Sequence, residues 1–79
     1  MEQTKRMWSI LTPREREIFH LLVKDYSTKQ IAERLNINEK TVRNHISNVI
    51  QKLDVKSRTQ ATLELYRIGE LEIERLKKN

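Results

Sequence analysis

The stretch from 38 to 53 constrains the fold more than any other part of the chain. Its sequence is NEKTVRNHISNVIQKL, in which apolar residues recur every three or four positions. This spacing places them along one side of an α-helix, so the stretch predicts a helix with a single buried stripe. The stripe consists of Val42, Ile46, Val49, Ile50 and Leu53.

The opposite side of this helix is polar and carries no acidic residue after Glu39. Solvated helix faces usually mix both signs of charge. Amide, hydroxyl and basic side chains are those that hydrogen-bond to the base edges and phosphates of DNA. The pattern indicates a DNA recognition helix, although an ordinary polar surface helix shows the same pattern when it is considered in isolation. The polar side consists of Lys40, Thr41, Asn44, Ser47, Asn48 and Gln51, with Arg43 and His45 on its flanks.

Composition narrows the possible classes of function. The 79 residues make one domain with a modest core, to which a partner subunit would add stability. Lys and Arg exceed Asp and Glu by five (16 − 11), which favours an anionic partner such as nucleic acid. The absence of cysteine excludes disulfides and thiolate metal sites. No apolar run is as long as a signal peptide or a membrane span, so we expect a cytoplasmic protein with no membrane partner.

The sequence offers no arrangement of residues that is typical of catalysis. It contains no paired carboxylates, metal-ligand cluster, nucleophile–base set or glycine-rich phosphate loop. His20 lies among apolar residues, but no second His, Asp or Glu is spaced with it as a metal or acid–base pair requires. We therefore predict that the chain is not an enzyme and that it binds no metal and no cofactor.

Local signals divide the chain into four helices. A T-x-x-E capping box begins at Thr12, and S-x-x-Q boxes begin at Ser27 and Ser57. Asn38 is expected to cap the third helix, and Asn36 to adopt the left-handed conformation in the turn before it. The glycine at 69 is expected to end the fourth helix. The predicted helices span 13–24, 28–35, 39–53 and 58–68, which makes the fold class all-α.

Each of the other helices has an apolar stripe, and the fourth has a second one. A helix that packs on one neighbour needs only one apolar side, so Leu63 and Tyr66 on the other side of the fourth helix indicate a subunit contact. The predicted inward stripes are Ile18, Leu21 and Leu22, with Phe19 beside them, then Ile31, Ala32 and Leu35, and finally Ala61, Leu65 and Ile68.

The short second helix, its tight turn and the polar third helix form a helix-turn-helix unit. The segments LTPREREIF, STKQIAERL and NEKTVRNHISNVIQKLDVKSRTQA resemble the LuxR-type helix-turn-helix DNA-binding domain. The resemblance implies a four-helix domain that dimerises through its fourth helix, binds double-stranded promoter DNA and regulates transcription. On this resemblance the chain consists of an arm (1–10), the domain (11–71) and a charged tail (72–79). The domain contains the helix-turn-helix (27–46), the recognition helix (39–53) and the dimer helix (58–68).

The resemblance also implies a role for individual residues. The positions that match the family's base contacts are Arg43, Asn44 and Ser47. The positions that match phosphate-contacting or supporting places are Lys40, Thr41, His45, Asn48, Lys52, Lys56 and Arg58. The expected dimer interface consists of Thr59, Leu63, Tyr66 and Glu70.

Within this family we expect a stand-alone homodimer that acts at promoters, similar to the small members that control sporulation genes, with RNA polymerase as a further candidate partner. The expectation of a stand-alone protein rests on the methionine at the start and the lack of a linker before the domain. The alternative is the DNA-binding domain of a two-component response regulator or of a larger LuxR-type regulator. A sigma factor would need a longer chain, and a protein-interaction module would favour an acidic or apolar third helix.

Overall fold

The computed structural model describes residues 10–72 and contains four α-helices and no strand within that range. The predicted arm and tail lie outside it, apart from Ile10 and Glu72. The helix bounds agree with the sequence-based ones, except that the first and fourth helices each end one residue earlier than expected. The helices are α1 (Pro13–Val23), α2 (Thr28–Leu35), α3 (Glu39–Leu53) and α4 (Arg58–Arg67).

Two of the three predicted capping boxes are complete. At the start of α1, the Glu15 N–H donates to Thr12 Oγ1 (3.1 Å) and the Thr12 N–H donates to Glu15 Oε1 (2.9 Å). Ser27 and Gln30 exchange the equivalent bonds at the start of α2.

The other two helix starts differ from the predictions. The Gln60 N–H donates to Ser57 Oγ as expected, but Gln60 Oε1 accepts from the Lys56 N–H (2.9 Å) rather than from that of Ser57. Asn38 occupies the N-cap position of α3, but its side chain makes no capping hydrogen bond. An extended Asn38 backbone is therefore sufficient to begin α3 without the predicted side-chain bond.

All four helices end in the same way, with a residue of positive φ that turns the chain back over the last turn. Asn36 adopts this conformation as predicted (φ 58°), and Gly69 does so after α4 (φ 84°). Asp25 and Asp54 take the role elsewhere, since aspartate tolerates the left-handed region better than most residues. In each case the N–H of the next residue donates to a carbonyl five residues back, as in a Schellman motif; these bonds are Tyr26 to Leu21, Ile37 to Ala32, Val55 to Ile50, and Glu70 to Leu65.

α3 is the central helix, because it packs against α1, α2 and α4. Val42 and Val49 of its stripe are completely buried, and Ile46 is nearly so. The core also shows where the predicted stripes were wrong. Phe19 is fully buried. Several predicted stripe residues are instead half-buried and pack against the edge of the core; they are Leu21, Leu22, Leu35, Ile50, Leu53 and Ile68. The buried apolar residues are Leu11, Ile18, Phe19, Ile31, Ala32, Val42, Ile46, Val49, Ala61, Leu65 and Leu71.

Candidate nucleic-acid interface

The side of α3 opposite the core forms one exposed patch. The three predicted base-contacting residues, Arg43, Asn44 and Ser47, are all exposed. Residues three and four positions apart are neighbours on a helix surface, so these side chains lie side by side. The exposed residues of α3 are Lys40, Arg43, Asn44, Ser47, Asn48, Gln51 and Lys52.

The remaining predicted contacts on α3 divide between this patch and its border. Lys40 and Asn48 belong to the exposed patch. Thr41 and His45 are half-buried, because each lies next to the buried stripe that faces the core. The border of a helix in a DNA groove is the part closest to the sugar–phosphate walls, so this position suits contacts to phosphate better than contacts to bases.

A network of side-chain hydrogen bonds joins the patch to α2. The Glu39 carboxylate oxygen Oε2 accepts from Arg43 Nη2 at 2.9 Å and from Thr28 Oγ1 at 2.7 Å. Glu39 and Thr28 are the first residues of α3 and α2, so this network connects the two helices of the helix-turn-helix. Neither residue is among the sequence-predicted contacts. The i, i+4 spacing of Glu39 and Arg43 was the available signal for their ion pair.

Two more of the predicted basic contacts follow the patch along the chain. Lys56 lies in the turn after α3 and Arg58 is the first residue of α4, and both are exposed. The bond from the Lys56 N–H to Gln60 and the bond from Thr62 Oγ1 to the Arg58 carbonyl fix the backbone at these residues. Their basic side chains therefore extend from an ordered part of the fold.

Lys52 differs from Arg43, because its amino group is bound to residues outside α3, whereas Arg43 is bound to Glu39 of α3 itself. Lys52 Nζ lies 2.5 Å from Glu15 Oε1 and 2.9 Å from the Ile10 carbonyl oxygen. These bonds tie α3 to the start of α1 and to the segment before it. Of the two roles that the resemblance allows for Lys52, phosphate contact or support, this geometry favours support.

Glu15 is the buried member of this ion pair, with only 4% of the residue exposed. Burial by itself would raise the pKa of Glu15. The hydrogen bonds from Lys52 and Thr12, together with the charge of Lys52, outweigh burial and lower the pKa below its usual value. From the sequence Glu15 is predicted only as a capping residue, since nothing local connects it with a lysine 37 positions away.

The predicted dimer residues on α4 do not form a uniform surface. Leu63 is 63% exposed and is the only large apolar side chain so exposed within residues 10–72. Thr59 is also exposed, whereas Tyr66 is half-buried and packs against the core. Glu70 is half-buried, and its carboxylate pairs with Arg16 of α1 at 3.0 Å. Among the four predicted dimer residues, Leu63 is thus the one large apolar side chain that is exposed to solvent.

Between residues 10 and 72, no three His, Asp or Glu side chains are grouped so that they could hold a metal ion. None of α1 to α4 has the length and apolar character that a membrane crossing requires.

Comparison with known proteins supports the sequence-based resemblance. Residues 9–65 match the family model described as bacterial regulatory proteins, luxR family. The chain is 66% identical over 64 residues to the spore germination protein GerE of Bacillus subtilis (strain 168), which covers 81% of this chain and 86% of GerE. It is 50% identical over 60 residues to the transcriptional regulatory protein DegU of Brevibacillus brevis, which covers 76% of this chain but 25% of DegU.

The response regulator protein VraR of Staphylococcus saprophyticus is a third relative, with 44% identity over 63 residues that cover 80% of this chain and 30% of VraR. The solved structure of the transcription factor GerE superposes with a TM-score of 0.80 at 70% identity and covers 81% of this chain and 96% of that one. This likeness confirms the predicted all-α LuxR-type fold. Together the matches confirm the interpretation of the chain as a GerE-like DNA-binding domain of a transcription regulator.

Proposed function

This chain belongs to the luxR family of bacterial regulatory proteins, and we propose that it is a homodimer that binds promoter DNA by placing α3 in the major groove. The observation that carries the proposal is the exposure of Arg43, Asn44 and Ser47 together on the side of α3 that faces away from the core. The major groove of B-DNA admits an α-helix, and the bases present distinct patterns of donors and acceptors there.

Each residue of the patch has a role that follows from its chemistry. Arg43 donates two parallel hydrogen bonds to guanine O6 and N7, which its planar guanidinium matches. Asn44 pairs with adenine, because its amide supplies one donor and one acceptor to N6 and N7. Ser47 is small, so it allows α3 to approach the bases closely and to bind them through water.

Phosphate contacts set the register of α3 in the groove without reading the sequence. We assign these contacts to side chains at the border of α3 and after its C-terminal end. Lys52 supports the position of α3 through Glu15, rather than binding a phosphate itself. The phosphate-contacting residues are Lys40, Thr41, His45, Asn48, Lys56 and Arg58.

The dimer forms through α4, with Leu63 at its centre. A two-fold axis through this face brings each Leu63 close to its counterpart, because such contacts are self-complementary. Thr59 and Tyr66 lie one helical turn to either side and complete the contact, with Glu70 at its edge. The two copies of α3 then enter half-sites that are about one turn of DNA apart.

The biological setting that we propose comes from GerE, whose name connects it with spore germination. We propose that this chain controls sporulation genes in the cytoplasm, where it acts with RNA polymerase at promoters and has no enzymatic activity. A second candidate is a DNA-binding domain of a longer response regulator, since the chain matches only 25% of DegU and 30% of VraR. The mass of the protein detected by antibody in the source cells distinguishes the two.

The test of base readout compares Arg43→Ala with Lys56→Ala. Preferred sites are selected from a pool of random duplexes, and affinity is then measured on the selected site and its single-base variants. Arg43→Ala should cost about 1–3 kcal/mol on the preferred site and relax the choice at one base pair, whereas Lys56→Ala should weaken all sequences by a similar factor. Equal weakening of all sequences by both variants would contradict the placement of α3 in the groove.

Salt dependence provides an independent test that DNA binding is of this kind. Lys40, Lys56 and Arg58 would neutralise about three phosphates per subunit, so log K should fall with log salt with a slope of roughly −3 for each subunit. An affinity that does not change with salt would contradict phosphate-dominated binding.

The dimer is tested with Leu63→Glu and its uncharged counterpart Leu63→Gln. Burying Leu63 contributes about 1.5–3 kcal/mol to the dimer, so both variants should sediment as monomers. Leu63→Glu should bind the selected DNA site more weakly than Leu63→Gln. The helical circular dichroism spectrum should stay unchanged, because Leu63 lies outside the core. A Leu63→Glu variant that still sediments as a dimer would exclude α4 as the interface.

A further inference from the structure

We propose that Glu39 is a positioning residue that orients the Arg43 guanidinium for base readout, and that Thr28 in turn holds Glu39. This inference rests on the proposed function, in which Arg43 reads a base. Glu39 Oε2 is the meeting point of both contacts, at 2.9 Å from Arg43 Nη2 and 2.7 Å from Thr28 Oγ1. The arrangement connects the base-reading patch with the N-terminal end of α2.

Arginine needs such support because its side chain is long and rotates freely at the surface. The Arg43 side chain is 60% exposed, so packing alone restricts it little. A guanidinium carries five N–H donors in a fixed plane. One donor bound to Glu39 fixes the direction of that plane and leaves the others to reach guanine O6 and N7. Binding sites gain specificity when the contacting group is already held in its productive geometry.

An ordinary surface ion pair is the competing explanation, since i, i+4 pairs of this kind add a few tenths of a kcal/mol to helix stability. The chain contains a natural comparison in Glu17, which pairs with Arg14 on α1 at 3.1 Å. Glu39 differs because it also accepts a hydrogen bond from another helix, through Thr28. A pair that serves only its own helix needs no such bond, which is why we assign Glu39 a role beyond helix stability.

The charge of Glu39 makes the two explanations separable. A carboxylate next to the DNA-binding patch repels phosphates, so its removal should raise affinity for all sequences by about twofold at moderate salt. Loss of the contact that positions Arg43 should instead lower the preference of the protein for one base over the others. Positioning therefore predicts a variant that binds DNA more tightly in general and chooses its sequence less well. Damage to the fold would lower both quantities together.

The experiment uses the full chain with Glu39→Ala and Glu39→Gln, which carry the same change in charge. Gln keeps an acceptor oxygen for Thr28 and Arg43, whereas Ala does not. Affinity is measured on the site selected from random duplexes and on its single-base variants. At the base pair that Arg43 reads, Glu39→Ala should lower the preference by about two- to tenfold, the range that corresponds to one hydrogen bond. Glu39→Gln should retain most of the preference, and both should bind a random-sequence duplex more tightly.

Three further variants complete the test. Thr28→Val should lower the same preference, while Thr28→Ser, which keeps the hydroxyl, should retain it. Glu17→Ala is the matched control, since it removes an exposed carboxylate from an ion pair and should leave the base preference unchanged. Thermal unfolding by circular dichroism shows which variants are folded at the temperature of the binding measurement.

Different outcomes overturn different claims. If Arg43→Ala leaves every base preference unchanged, the proposed readout by Arg43 fails and the role of Glu39 fails with it. If Arg43→Ala relaxes one base pair but Glu39→Ala and Thr28→Val do not, the proposed function stands and this inference is wrong. It is also wrong if Glu39→Ala relaxes a base pair other than the one that Arg43 reads, since Glu39 would then contact a base itself.

Discussion

α3 carries a basic side chain bound to a glutamate near each of its ends, and the two pairs have the same chemistry. Near the N-terminal end, Arg43 donates to Glu39, which also accepts from the hydroxyl of Thr28. Near the C-terminal end, Lys52 donates to Glu15, which also accepts from the backbone of a threonine. Each glutamate lies in the first turn of its helix, where the helix dipole favours a negative charge.

Burial is what separates the two pairs. Glu15 is 4% exposed and its pKa is lowered, whereas the side chain of Glu39 is 36% exposed. A buried carboxylate that loses its partner is left without the hydration it had in the unfolded chain, and this is costly. A surface carboxylate that loses its partner is solvated again at little cost. The same interaction therefore holds the fold together at one end of α3 and remains available for function at the other.

Glu15 and Glu39 should differ most in what they contribute to stability. Glu15→Gln keeps the capping acceptor but removes the charge that binds Lys52, so we expect a loss of about 2 kcal/mol in the free energy of unfolding. Lys52→Met should cost a similar amount, because it leaves the buried carboxylate of Glu15 without its partner. Glu39→Gln should change the free energy by less than about 0.5 kcal/mol. Urea denaturation at pH 7 measures all three.

A double variant tests whether Glu15 and Lys52 act as one unit. If they do, Glu15→Gln combined with Lys52→Met should cost less than the sum of the two single variants. Equal losses from Glu15→Gln and Glu39→Gln would remove the distinction between the two ends of α3.

This contrast also shows what could be predicted from the sequence. The helix bounds, the Thr12 and Ser27 capping boxes and the exposed face of α3 follow from periodicity and neighbouring residues, and the structure agrees with them. Glu15 and Lys52 are 37 positions apart, so their pairing depends on how α1 packs against α3. The burial of Leu71 depends on the turn at Gly69 in the same way. Periodicity places side chains on a face, but tertiary packing decides their partners.

The second prediction contrasts two lysines in DNA binding. Lys56 is exposed in the turn after α3, and Lys56→Ala should weaken all DNA sequences by about fivefold and reduce the salt slope by about one. Lys52→Met should leave the slope unchanged, because its amino group is bound to Glu15 and the Ile10 carbonyl. Fluorescence anisotropy on one duplex at several salt concentrations provides both slopes. A smaller slope for Lys52→Met would make Lys52 a phosphate contact after all.

The third prediction uses pH to isolate Glu15. Its pKa in the folded protein lies below the ordinary value of about 4.5. The unfolded chain therefore takes up the proton first as pH falls, and the stability that Glu15 contributes is present above about pH 4.5 and is lost at lower pH. The difference in free energy of unfolding between wild type and Glu15→Gln should be constant from pH 7 to about pH 5 and then shrink. A difference that persists unchanged to about pH 3 would contradict this assignment.

The smallest effect is expected at the N-terminal end of α3, where Asn38 is the N-cap residue but makes no side-chain capping bond. An N-cap side chain usually contributes about 1 kcal/mol through that bond, so Ser27→Ala, which removes the cap of α2, should cost about that much. Asn38→Ala removes no such bond and should cost less than about 0.5 kcal/mol in the same urea experiment. If the two substitutions cost the same, Asn38 caps α3 in solution. The N-terminal end of α3 would then also depend on a side chain for folding. It would differ less from the C-terminal end, where Lys52 and Glu15 stabilise the fold.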